Sequence, residues 1–457
     1  MMQRLFRSKF VRDTLTLQVG KVIATGLAAL STLLVLRLLG PEEYGRFALA
    51  QSFMALWVAL DLTGIGSSIN THLGVAIGKR DADAVLDALA VFLKIAFVVT
   101  LAIIALIATL GQPLAQLLHA DAGDIGRLAL LLAFTLPADY AYALAITSFQ
   151  SRRQMRTVAI AQSLNQLILT LCTIAAVLMQ ARAESLIMAR LVYSYSTMLG
   201  AWLAYARLRG GETPFPTIGM LLRRAWSVAP RPYLRFGFLN AVDKNLSNQY
   251  TQLPLQLVGI LVGERAAGYL SSALALIAQA GVLTSAVFDN MQAVVPQMVG
   301  ERDFARLRRN FGRVLRVLLV GGVVLYAIAA AVAPFALPLL LGSEWANAVP
   351  AFMVLAIYGA LTTFGGIFGP LYRALDLIRP AIAAKIAALV IALPLGYWLI
   401  SSSALAGITT AALPGEAVGA LGGAWTIVLL FAISVGLTAI IGLRGLNAAD
   451  DTRLPQA

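Results

Sequence analysis

Twelve apolar stretches, each longer than twenty residues, run along this chain and leave it little choice of fold. They cover 14-39, 45-71, 84-110, 125-149, 157-181, 185-207, 233-261, 266-294, 310-334, 346-370, 380-402 and 417-443. About 20 apolar residues suffice for a helix to cross a bilayer, and runs of this length are too long for the strands of a membrane barrel. Inside a bilayer the backbone must satisfy its own hydrogen bonds, which a helix does within one segment. Composition agrees, with 59% hydrophobic and 12% charged residues, the latter about half the usual share of a soluble protein. The reading is an all-α integral membrane protein of about twelve transmembrane helices.

The net charge is +13, and its distribution decides what it means. With the first residue placed inside, the inner segments hold 25 of the 35 Lys and Arg, including Arg152, Arg153, Arg156, Arg223, Arg224, Arg306, Arg308, Arg309 and Arg313. The outer segments hold only Arg46, Arg127, Arg182 and Arg265. This is the positive-inside bias, so both termini are expected in the cytoplasm. The bias accounts for the basic charge, and no nucleic acid is expected as a partner. The first span lacks a short apolar core followed by a small-residue cleavage site and is read as a retained anchor. Cys172 is the single cysteine, which excludes an intrachain disulfide. His72 and His119 are too scattered for a metal site, and neither metal nor cofactor is expected. No loop is long enough to fold as a soluble motor domain.

The chain is also written twice. "LGPEEYGRFALA" at Leu39 matches "VGERAAGYLSSA" at Val262, with Gly40, Gly45 and Ala50 falling on Gly263, Gly268 and Ala273 at an offset of 223. Gly78, Arg80 and Asp81 fall on Gly300, Arg302 and Asp303 at 222, and Pro113 and Leu114 on Pro338 and Leu339 at 225. Each copy holds six spans, an even number, so the copies run the same way through the membrane. Parallel repeats of this kind build transporters that hold substrate near the midplane between halves. The expected domains are an N-terminal six-helix bundle at 1-208, a basic cytoplasmic linker at 209-231 and a C-terminal six-helix bundle at 232-457.

Charges within the spans mark candidate sites, because an ionised group near the bilayer centre costs roughly 2.5–3.5 kcal/mol on insertion scales. Gln18 and Lys21 share a polar stripe of the first span with Thr14, Thr25 and Thr32, spaced 4, 3, 4 and 7. Asn240, Lys244, Asn248 and Thr251 make a similar stripe in span seven, and Lys21 falls on Lys244 at the repeat offset. Both stripes are expected to line a water-filled cleft rather than face lipid. Lys244 has an alternative local partner in Asp243. Arg190 shares a face of span six with Tyr193, Ser194 and Thr197. Lys94, Arg316 and Lys385 either line the same cavity or snorkel from span ends. Candidate substrate-binding residues are therefore Lys21, Lys244, Arg190, Lys94, Arg316, Asn240, Asn248 and Gln18. Asp61, Asp139, Asp243 and Asp289 are candidate proton or sodium sites, with counterion or helix-cap roles as the alternative.

"RLLGPEEYGRFALAQSF", "DLTGIGSSINTHL", "VGERAAGYLSSAL" and "LPLLLGSEWANAVPAFMVLAIYG" resemble the Wzx-type polysaccharide flippases of the MOP exporter superfamily over nearly the whole chain. That resemblance implies two six-helix bundles in a V around a cationic cavity. It implies transport, without catalysis, of undecaprenyl-pyrophosphate-linked oligosaccharide from the inner to the outer leaflet of a bacterial inner membrane. It also implies a monomer that works beside a polysaccharide polymerase and a chain-length regulator. Two alternatives are a cation-coupled multidrug exporter of the same fold, which would favour acids and aromatics in its cavity, and a membrane-embedded glycan polymerase or ligase, which would carry large outer loops.

Overall fold

The computed structural model describes residues 9–119, 123–152, 154–208, 215–301, 304–401 and 413–451. Among them there is no β-strand. The helices are α1 Lys9–Val58, α2 Ile65–Gly78, α3 Ala82–Leu106, α4 Gln112–Leu118, α5 Ile125–Ala133, α6 Leu136–Ser151, α7 Met155–Met179 and α8 Ala183–Leu208. A short amphipathic helix, α9 Ile218–Ser227, precedes the second series. That series is α10 Arg231–Leu261, α11 Glu264–Gly300, α12 Phe304–Leu341, α13 Val349–Gly365, α14 Phe368–Ala374, α15 Ile378–Ser401 and α16 Gly415–Asp451. Eight segments of the described residues pass as membrane spans on length and apolarity alone. Three more helices, α8, α10 and α11, have the length. Of these, α8 and α10 carry more polar residues.

The helices show three irregularities, and two of them have identifiable causes. α1 is interrupted at Gly40 (φ 73, ψ 170), directly before Pro41. A left-handed φ favours glycine, and Pro41 then opens the second half at the first helical position, where no N–H is needed. Residues 45-71, expected as one span, are divided between Val58 and Ile65. There Asp61 Oδ1 accepts from the backbone N–H (3.0 Å) and hydroxyl (2.6 Å) of Thr63, an Asx-type turn. Gly64 follows with φ 56. α3 passes through one turn of π-helix at Ile107–Gly111 before continuing as α4.

Contacts divide the chain into two compact units, residues 1–38 with 53–242 and residues 39–52 with 243–457. In the first, α2, α3, α6 and α8 enclose a core around Ile69, Leu89, Phe92 and Phe149. α9 packs on α3 by burying Leu221 and Ala225. Arg224 of α9 holds Asp87 through two hydrogen bonds of 2.5 and 3.2 Å, and the adjoining carboxylate raises the Arg224 pKa above its ordinary value. Arg224 is thus engaged with the protein, while Arg223 is exposed.

In the second unit the repeat appears as a local exchange of contacts. A Cβ on Gly45 would run into the carbonyl of Glu264, and a Cβ on Gly268 into the carbonyl of Pro41. Both members of these two pairs are related by the offset of 223. Gly263 (φ 118) likewise repeats the left-handed Gly40. Around this close approach Arg46 pairs with Glu43 at 2.9 Å and Glu264 at 3.5 Å, and Arg265 with Glu42 at 3.6 Å. Trp345, 1% exposed, fills the space below, with Tyr44 and Tyr269 edge-on at 6.3 and 6.2 Å.

Candidate functional site

The best-formed polar site lies in the second unit, around the middle of α10. Asp243, Ser247 and Tyr250 recur there at spacings of 4 and 3, which places them on one buried face. Asp243 is fully enclosed. Its Oδ1 accepts from Lys385 Nζ of α15 at 2.5 Å, and its Oδ2 from Arg373 Nη2 of α14 at 2.7 Å. The Tyr372 hydroxyl donates to the same carboxylate at 2.9 Å. Lys385 also donates to Ser247 Oγ (2.7 Å) and to the Asp243 carbonyl (3.1 Å), so its three donors are engaged. Tyr250 Oη donates to the Lys385 carbonyl at 3.0 Å, pinning α15 to α10.

A cavity of about 270 Å³ opens beside this network. Arg373 and Lys385 line it together with Gln292, Thr362, Ser434 and Thr438, whereas Asp243 stands behind them. Two cations against one carboxylate leave a formal excess of one positive charge. Among the described residues the cavity wall shows only the cations. Lys385 is 9% exposed by side chain and Arg373 41%, so Arg373 is the group that can reach a ligand.

Asp243 therefore does not serve Lys244. Neighbouring residues on a helix do not face each other, and Lys244 and Asn248 are exposed on another face of α10, with Asn240 half-buried. Arg373, Tyr372 and Ser247 are not legible as site residues along the chain: Arg373 falls in an inner segment, where the positive-inside bias already accounts for a basic residue, and a lone hydroxyl carries no signal. The available signal was the pair of unmatched opposite charges, Asp243 and Lys385, each deep within a span, where such groups pair.

The first unit holds a second polar cluster. Asp139, in the first turn of α6, accepts from Ser194 Oγ of α8 at 2.8 Å. Arg190 lies one turn earlier on α8, its guanidinium 5.6 Å from the Tyr193 ring centre and close enough to Asp139 to act on it electrostatically. The structure thus brings the polar faces of spans four and six together. Asp61 is separate, with Tyr140 Oη donating to it at 2.6 Å. Lys94 donates to the Val228 carbonyl at 3.3 Å, which ties α3 to the end of α9. Arg316 is exposed and its Nε donates to Gly312 of its own helix at 3.2 Å. Gln18 and Lys21 lie on α1 and Asp289 on α11, with side chains outside the described residues. No group of metal-ligating residues occurs among those described.

A family model described as "Polysaccharide biosynthesis protein" matches residues 34–350. The chain belongs to this family. The fold of this polysaccharide biosynthesis protein is also found in solved transporters. An inward-facing multidrug resistance MATE family transporter of the MOP superfamily shares it at a TM-score of 0.74 and 16% identity, over 95% of this chain and 99% of that one. A eukaryotic MATE transporter gives 0.70 at 15% identity, over 97% and 100%. A MOP superfamily transporter from Pyrococcus furiosus, described as having a binding pocket of reversed polarity, gives 0.65 at 17% identity, over 98% of each chain. No curated protein matches by sequence. The family member is thus a multi-pass membrane protein of transporter fold.

Proposed function

We propose that this protein carries polyprenyl-diphosphate-linked oligosaccharide from the inner to the outer leaflet of a bacterial inner membrane, by alternating access, as part of surface polysaccharide synthesis. The observation that carries this reading is the excess positive charge at the cavity beside Arg373 and Lys385. A diphosphate crossing a low-dielectric slab needs fixed cations in place of its lost hydration. Arg373 keeps free guanidinium donors in a planar fork that matches phosphate oxygens. A cationic drug would be repelled there, which weighs against an exporter of cations. The hydroxyls and amide lining the same cavity suit the attached sugars.

Further parts of the reading rest on the sequence. Lys21 and Lys244, related by the repeat, are proposed to meet the diphosphate, with Gln18, Asn240 and Asn248 beside them. Asp139, held by Ser194, is proposed as the ion-coupling carboxylate, since Asp243 is already occupied by two protein cations. Both termini are proposed to lie in the cytoplasm, which the positive-inside bias of the sequence supports. The polyprenyl tail stays in lipid while the headgroup crosses.

Deleting the gene and analysing the lipid-linked sugars tests the reading. The expected result is loss of surface glycan and accumulation of polyprenyl-diphosphate glycan on the cytoplasmic face. Intact surface glycan together with raised drug sensitivity would instead indicate an exporter.

A further inference from the structure

A second cavity, of about 310 Å³, lies between α11 and the first turns of α12 in the second unit. It differs in chemistry from the cavity beside Arg373. Among the described residues its walls are apolar, with Met291, Val294 and Met298 from α11 and Phe311 from α12, and polar groups enter only through Asn310 and Arg313. Met291 and Met298 are buried, and methionine adapts to an irregular apolar occupant.

Beside this cavity α12 carries Arg306, Arg309, Arg313 and Arg316, spaced 3, 4 and 3. That spacing lines them up on one face, and all four are exposed. The row climbs about 15 Å along the helix at 1.5 Å per residue, and Arg313 belongs to both the row and the cavity rim. Among the described residues no carboxylate pairs with Arg309, Arg313 or Arg316. Positive-inside bias explains basic residues at a span end. It does not require them on one helical face beside an apolar hollow.

We infer that this surface docks the substrate lipid itself, with the arginine row on the diphosphate and the cavity on the first part of a single prenyl chain. A diphosphate carries more negative charge than the phosphodiester of an ordinary phospholipid, and a row of guanidinium groups grips such a dense anion with paired donors. The one cavity accepts one chain, whereas a phospholipid brings two. Under the proposed topology these first turns lie at the inner leaflet, where the lipid-linked substrate starts. The inference rests on the proposed substrate class, and adds a loading site apart from the cavity beside Arg373.

The test is photolabelling of the full chain in nanodiscs with a diazirine-bearing farnesyl diphosphate, followed by peptide mapping. The expected labels fall on the cavity walls, at Met291, Val294 or Met298. Farnesyl diphosphate should compete, while inorganic pyrophosphate and farnesol compete weakly, because each lacks one half of the ligand. Arg309→Gln with Arg313→Gln should lower labelling there about tenfold. Both side chains are exposed, so the variant keeps its fold. Val294→Trp, which fills the hollow, should lower it as well, while Arg373→Gln leaves it unchanged. Labels confined elsewhere, unaltered labelling in the arginine variant, or equal competition by phosphatidylglycerol would overturn the inference. Labelling at this site in a protein whose deletion leaves glycan export intact would retain the lipid site and remove the flippase reading.

Discussion

Asp243 is the residue on which the second unit is most exposed to damage. It is fully enclosed, and its two cationic partners come from helices more than 120 positions away in the chain. Taking one partner out of a buried ion pair leaves an uncompensated charge and costs about 3–5 kcal/mol. Asp243→Asn should therefore destabilise the protein by that order and lower its melting temperature in detergent, because Lys385 loses its carboxylate. Lys385→Met should cost less, since Arg373 and Tyr372 continue to hold Asp243. The double variant Asp243→Leu with Lys385→Met should recover part of the loss, as apolar replacements of buried pairs often do. A melting temperature for Asp243→Asn equal to that of the parent would show that the pair adds nothing to stability. The sequence marked Asp243 and Lys385 as costly charges within spans. Their pairing was not legible, because it depends on which faces of α10 and α15 meet.

At the scale of helices, the close approach around Gly45 and Gly268 makes a sharper prediction than any side-chain contact. A methyl group at either position meets a backbone carbonyl, which cannot rotate away as a side chain would. Gly45→Ala and Gly268→Ala should each exceed the usual overpacking cost of about 1–3 kcal/mol and reduce the yield of monodisperse protein on size exclusion. Gly321→Ala is the control. It sits within α12 with no atom near its would-be Cβ, and should be neutral or stabilising by roughly 0.5–1 kcal/mol from lost backbone freedom. Equal yields for all three variants would contradict this packing. Both glycines were visible in the sequence as matched positions of a repeat. The division of residues 45-71 at Asp61–Gly64 was not visible. A hydropathy pattern registers one polar residue as a dip, whereas the structure shows a turn held by Thr63 and a glycine in the left-handed region.

For the molecule as a transporter, the decisive variants are those at the two lysines related by the repeat. Lys21→Ala and Lys244→Ala are each expected to impair glycan export without loss of protein from the membrane. Arginine at either position should keep part of the activity, because charge survives while geometry changes. Surface glycan measured against membrane protein level checks this, and normal export in both alanine variants would remove these lysines from the mechanism. What the sequence determined alone are the properties that repeat locally. Apolar length marks the membrane spans, apart from the division of residues 45-71, and the 223-residue offset marks matched positions such as Gly45 and Gly268, since each is written in neighbouring or matched residues. What only the tertiary structure decided is how charges are distributed among partners. Lys94 is attached to the end of α9, Asp139 to Ser194, and Asp243 to Lys385 and Arg373 instead of its neighbour Lys244. In a span every polar face must find a complement on another helix, and which helix supplies it is fixed by packing between distant segments.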